Sequence, residues 1–187
     1  FGGGLWLSVI SINGENMKRL KALGSISDRP HTWSPDGRKI AICDNGSVFV
    51  VDVNSRDCNR ITCAAPDGSM IRPIHADWSP AGDRLAFAGT GIARGIWIVN
   101  CDGSEPRRIT ENEDYAPEWS PDGTKVAFQS LCDGDWDIYV IDADGRNIKC
   151  LTENNVSDMQ PAWFEPKVSV QPRGNLVATW GQLKIGD

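Results

Sequence analysis

Two short runs carry carboxylates spaced closely enough to suit a hard cation: Asp133-Gly134-Asp135-Trp136-Asp137 and Asp142-Ala143-Asp144-Gly145. Neither run continues to the distant bidentate Glu of an EF-hand. Asp144-Gly145 recurs as Asp102-Gly103 and, more weakly, as Asn54-Ser55, so it reads as a two-residue hairpin signal. The first run is unique to its part of the chain, which assigns Asp133, Asp135 and Trp136 to ligand binding. No metal ligand is assigned and no cofactor is expected. The chain has no CxxC pair and only two His, the wrong supply for structural zinc.

Nucleophilic hydrolysis would need a Ser or Cys with a His and an orienting acid. No G-x-S-x-G elbow is present, and His31 and His75, each just upstream of a recurring Trp, are the only His available as base. A non-catalytic protein is expected.

The elements that must position these residues come from an internal repeat. "WSPDGRKIAI" starts at Trp33, "WSPAGDRLAF" at Trp78 and "WSPDGTKVAF" at Trp119, and a degenerate "AWFEP" supplies Trp163. The interval is about 40 to 45 residues. Pro35 and Pro121 preset φ in a tight turn that Gly37 and Gly123 close with positive φ. A short strand follows ("KIAI", "RLAF", "KVAF"), then a loop. A third strand begins at Val48, Ile96 and Ile138, and a fourth runs into "NRIT", "RRIT" and "KCLT". Four antiparallel strands at this period make the blade of an all-β propeller. In that frame Asp36 and Asp122 form turns: Ala81 replaces them in one copy, and the Asp-Gly adjacency differs from the Asp-box of sialidase-like propellers.

The ends of the chain complement one another. "VISINGENMKRLK" aligns with "VIDADGRNIKCLT" as third and fourth strands, whereas Trp163 and "QPRGNLVATW" read as first and second strands. The expectation is one domain over 1–187 with four blades: 31–62, 76–110, 117–152, and a blade completed by the termini from 5–21 with 160–182. The alternative is a half-ring that assembles into a larger propeller as a homodimer, so monomer and homodimer both stay open.

Hydrophobic residues at 40% and eight Trp provide for a packed core. A net charge of −6 disfavours nucleic acid and anionic membranes and steers cationic partners. No apolar run reaches the length of about 18 residues that a membrane helix needs, so no membrane insertion is expected. Of six Cys, Cys43 with Cys63 and Cys132 with Cys150 fall at shared blade ends. Disulfides and free buried thiols both remain open.

The segment "APEWSPDGTKVAF…DIYVIDADGRNIKCLT", Ala116 to Thr152, resembles the TolB-like β-propeller repeat family, and the resemblance covers nearly the whole chain. It implies a bacterial periplasmic or extracellular protein that binds a partner. Related repeats gate serine peptidases of the prolyl oligopeptidase type, so an accessory propeller of a hydrolase is the alternative. In propellers the loops between blades and after second strands share one face, where function concentrates. The ligand-binding set on that face is His31, Arg72, His75, Asp114, Tyr115, Asp133, Asp135, Trp136, Met159 and Gln160, offered to a protein or saccharide partner.

Overall fold

A computed structural model describes residues 5–24, 31–61, 64–131, 134–164 and 182–184. Strands β1 (Leu5–Val9) and β2 (Lys18–Leu23) form a two-stranded sheet. Blade 1 follows with β3 (His31–Trp33), β4 (Lys39–Asp44), β5 (Ser47–Asp52) and β6 (Cys58–Ile61). Blade 2 contains β7 (Arg72–Trp78), β8 (Arg84–Thr90), β9 (Gly95–Asn100) and β10 (Arg107–Arg108). Blade 3 contains β11 (Asp114–Trp119), β12 (Lys125–Ser130), β13 (Asp137–Asp142) and β14 (Lys149–Cys150). Each blade is a four-stranded antiparallel sheet in chain order, and β15 (Ala162–Phe164) pairs with β16 (Gln182–Lys184) in a second two-stranded sheet. Among the described residues no ladder joins β1 and β2 to β15 and β16. The strand expected within Gln171 to Trp180 lies outside the described residues.

The Ser-Pro-Asp-Gly segments are turns, and the carboxylate works inside them. Ser34 Oγ donates to Asp36 Oδ1 at 2.6 Å and accepts from Lys39 N at 2.9 Å. Ser120 does the same with Asp122 Oδ1 at 2.7 Å and Lys125 N at 2.9 Å. These bonds hold both carboxyls below the usual Asp range, the Ser hydroxyl being the main cause. Where Ala81 stands in the Asp position, Asp83 supplies the carboxylate instead and takes the Ser79 hydroxyl at 2.8 Å. The turn chemistry therefore survives a two-residue displacement.

The links between third and fourth strands differ from the two-residue hairpins expected at Asp102-Gly103 and Asp144-Gly145. The last ladder partners are Ile98 with Arg107 and Val140 with Lys149, which leaves longer loops. Gly103 and Gly145 close local turns, after which Glu105 and Asn147 both adopt φ 54° and redirect the chain. The loops thereby reach the next blade: Arg107 donates to the Ala143 carbonyl and to the Asp144 carbonyl at 2.6 Å.

Packing follows the two-residue period of the strands. Leu85 and Phe87 of β8 face blade 1, in a cluster with Ala41, Val48 and Val50 that also holds Trp78 and Trp97. Ala86 and Ala88, on the other face of β8, join Trp119, Val126 and Phe128 of blade 3. Blade 2 is thus buried on both sides, which is why its two inner strands, β8 and β9, read as nearly continuous apolar runs. On the far side of blade 1, Leu7 and Leu20 pack on Ile40, Ile42 and Val51. Phe87 is fully buried. Phe87→Ala is expected to cost about 3–5 kcal/mol of unfolding free energy, read from urea denaturation; a loss below about 1 kcal/mol would contradict this packing scheme.

Candidate functional site

A repeated irregularity of the first strands builds the site. In blade 2 the register runs from Ile74 opposite Ala88 to Asp77 opposite Ala86, and in blade 3 from Tyr115 opposite Gln129 to Glu118 opposite Ala127. Each first strand thus carries one extra residue, a β-bulge, which bends the strand and re-aims its side chains. His75 and Ala116 sit in these bulges at φ 49°, and Gln160, three residues before Trp163, has φ 57°. None is Gly, so each left-handed residue carries a backbone cost on the order of 1 kcal/mol that its surroundings must offset.

The bulges bring together side chains from two blades. The ring of His75 meets that of Tyr115 edge-on at 6.3 Å, and Tyr115 meets Trp136 at 5.6 Å. All three residues are half-buried, so the row lies partly open to solvent. The Trp136 carbonyl accepts from Asp158 N at 2.6 Å, and Asp158 Oδ2 accepts from the Asn154 amide at 2.9 Å. Gln160 N donates to Gln129 Oε1 at 2.9 Å, so the segment before β15 lies against blade 3. Burial pushes the His75 imidazole below its usual range, which leaves the ring neutral at neutral pH.

Among the other residues expected on this face, Met159 and Gln160 are exposed beside Asp158. His31 and Arg72 are exposed at the first positions of β3 and β7, and among the described residues the aromatic contacts of the row join His75, Tyr115 and Trp136 without them. Asp133 lies outside the described residues. Asp114 is a correction: it is only 1% exposed and is not a surface ligand group. Consecutive strand residues face opposite sides, so presenting Tyr115 turns Asp114 inward, opposite Ser130. Both Asp114 oxygens, Ser130 Oγ, Asp135 Oδ2 and His75 Nδ1 are buried without a hydrogen-bond partner.

Two acids that sequence reasoning passed over lie between the blades, each immediately before a repeat Trp. Asp77 Oδ2 accepts from Trp119 N at 2.9 Å and Oδ1 from the Thr32 hydroxyl at 3.3 Å, so one carboxylate touches the first strands of blades 1 and 3. Burial raises the Asp77 carboxyl, opposed by these bonds and by the Trp78 amide. Glu118 is pushed up to about 8, first by burial and then by the charge of Asp77. The sequence signal for both was an acid in the residue preceding Trp78 and Trp119.

Two of the thiols, Cys58 and Cys101, are poorly suited to nucleophilic work. Burial pushes Cys101 up to about 11 and raises Cys58 as well. Cys150 is a free thiol whose Sγ lies 3.5 Å from the Thr152 carbonyl. Cys63 and Cys132 fall outside the described residues.

Repeated four-stranded antiparallel blades with a loop face make this a β-propeller module. A TolB homologue from Chlorobium luteolum is 32% identical over 136 residues, covering 71% of this chain and 30% of that protein. The Tol-Pal system protein TolB of Anaeromyxobacter dehalogenans is 33% identical over 122 residues, covering 63% of this chain and 27% of that protein. Crystalline TolB from Acinetobacter baumannii superposes with a TM-score of 0.67 at 19% identity, over 96% of this chain and 48% of that one. No family model matches. The chain belongs to the TolB-like β-propeller repeat family, and it spans less than a third of these relatives and about half of the solved structure.

The acid pair has a signed consequence. Glu118 has an ordinary value of 4.5 and a folded value of about 8, so its contribution to stability is fully present below pH 4.5 and is lost as pH rises toward 8. Stability measured by urea denaturation should therefore fall across that window, and Glu118→Gln should flatten the slope. An unchanged slope in the variant would rule out Glu118 as its source.

Proposed function

We propose that this chain is a non-catalytic docking module of the bacterial periplasm that presents the face around His75, Tyr115 and Trp136 to a protein partner. The observation that carries this reading is the half-buried aromatic row, which crosses from blade 2 to blade 3 on side chains held by two bulged strands. Aromatic residues with two side-chain torsions give large contact area at low entropic cost, which suits them as anchors. The strain accepted at His75 and Ala116 is of the kind found where geometry serves binding. Support for a protein partner and a periplasmic setting comes from the relatives, one of them named for the Tol-Pal system.

Non-catalytic action is supported by the poor nucleophilicity of the raised thiols. It is further supported by His75, whose Nδ1 is buried without a hydrogen-bond partner and so is not oriented by an acid. The test is a pull-down from periplasmic extract of a bacterium that carries the protein. Tyr115→Ala and Trp136→Ala should each reduce recovery of the partner by about tenfold, with melting temperatures close to wild type. Full recovery with both variants would exclude this face.

A further inference from the structure

One ladder position recurs in the three blades: Arg60 lies opposite Phe49, Arg108 opposite Trp97 and Cys150 opposite Tyr139. In blade 1 the arginine meets a side chain, since Arg60 Nε donates at 2.9 Å to the Oγ of Ser47, the residue that opens β5. In blade 2 the residue that opens β9 is Gly95. Its φ is 114°, and a Cβ there would stand 2.1 Å from the Thr110 carbonyl oxygen and 3.3 Å from Arg108 Nε, so no side chain fits. Arg108 therefore lacks the partner that Arg60 has.

Backbone carbonyls take its place. Arg108 Nε donates to the Thr110 carbonyl at 3.0 Å, and Nη2 donates to the Glu111 carbonyl at 3.3 Å and to the Arg94 carbonyl. Arg94 Nε also donates to the Glu111 carbonyl, at 3.4 Å, so two guanidinium groups converge on one neutral oxygen. These bonds occupy one of the five N–H donors of Arg94 and three of those of Arg108. The ion pairs among the described residues are Lys21 with Asp44, Arg84 with Asp83, Lys125 with Asp142, and Arg146 with Asp144, and none includes Arg94 or Arg108. Asp67, held low chiefly by the Ser69 amide, feels the Arg108 charge only as a minor influence.

We propose that Arg94 and Arg108 together receive a side-chain carboxylate from an acidic segment of the docked partner. A planar guanidinium with parallel N–H donors matches a carboxylate at two points, and the second guanidinium adds compensation for the charge that the ligand brings. Arg94 is exposed in the second-to-third strand loop of blade 2, as Trp136 lies in that of blade 3, and Glu111 leads from β10 to β11. The pair thus belongs to the loop face that carries the aromatic row. At a net charge of −6 the protein repels acidic segments in general, so this pair selects where one is accepted and sets the register of the partner. The assignment rests on the docking reading above and narrows it.

The test follows the Gly95 backbone amide by NMR while the intact protein is titrated at constant ionic strength with a capped tetraglutamate peptide, a matched tetraglutamine peptide and sodium phosphate. Tetraglutamate should give a saturable shift and tetraglutamine none, with affinity reduced by about tenfold or more in Arg94→Gln and in Arg108→Gln. Arg146→Gln, which removes an exposed cation from the third-to-fourth strand loop of blade 3, should leave affinity unchanged. Arg94 lies in an exposed loop, so its variant keeps the test valid if Arg108→Gln fails to fold. Equal binding of tetraglutamine, absence of a saturable shift, unchanged affinity in folded Arg94→Gln, or an equal loss in Arg146→Gln would overturn the proposal. Phosphate that displaces tetraglutamate at lower concentration would overturn it in favour of a phosphate site. Failure of the peptide arm with partner recovery still dependent on Tyr115 and Trp136 would overturn the carboxylate assignment and leave the docking face standing.

Discussion

The Asp77 carboxylate takes the Trp119 amide on one side and the Thr32 hydroxyl on the other, tying together the first strands of three successive blades. The Trp residues add a second set of ties between neighbours. Trp78 Nε1 donates to the Thr32 carbonyl at 3.2 Å, and Trp163 Nε1 to the Glu118 carbonyl at 3.0 Å. In each case the indole reaches the residue that precedes the Trp of the blade before. Trp119 lacks this bond, and the Arg84 guanidinium lies 4.9 Å from its ring instead. Trp33 is 46% exposed, whereas Trp78 and Trp119 are 4% and 5% exposed. No first strand of a preceding blade covers Trp33 among the described residues.

This framework determines where the functional face falls. Asp77 and Glu118 sit at one end of the bulges that place His75 and Tyr115. Fixing the acids between the blades therefore fixes the aromatic row two or three residues away. The same carboxylates make the inner seam electrostatically expensive, and Glu118 is displaced to about 8 first by its own burial and then by the charge of Asp77. Positional order at the face is bought with a pH-dependent stability at the centre.

Much of the fold was legible because its signals are local and repeated. The Ser-Pro-Asp-Gly turns, the strands after them and the aligned Trp residues each lie within a dozen residues, and three copies confirm one another. The third-to-fourth strand links were misread because the left-handed Glu105 and Asn147, neither of them Gly, lengthen the loops. The site was legible in part: Tyr115 and Trp136 were recognisable as aromatic residues on loops that depart from the repeat, and the structure brings them together. Asp114 was misjudged because its inward orientation depends on strand phase. The bulges at His75 and Ala116 and the role of Asp77 depend on neighbours in other blades, and no short window of sequence contains them.

Hydrogen exchange at the Trp119 amide tests the central claim most directly, since that N–H is bound by Asp77 across the blade boundary. In Asp77→Ala the Trp119 amide should exchange at least about tenfold faster than in the wild type, while the Lys125 amide, held within its own turn by Ser120, keeps its protection. Unchanged protection at Trp119 in a folded Asp77→Ala protein would contradict the account.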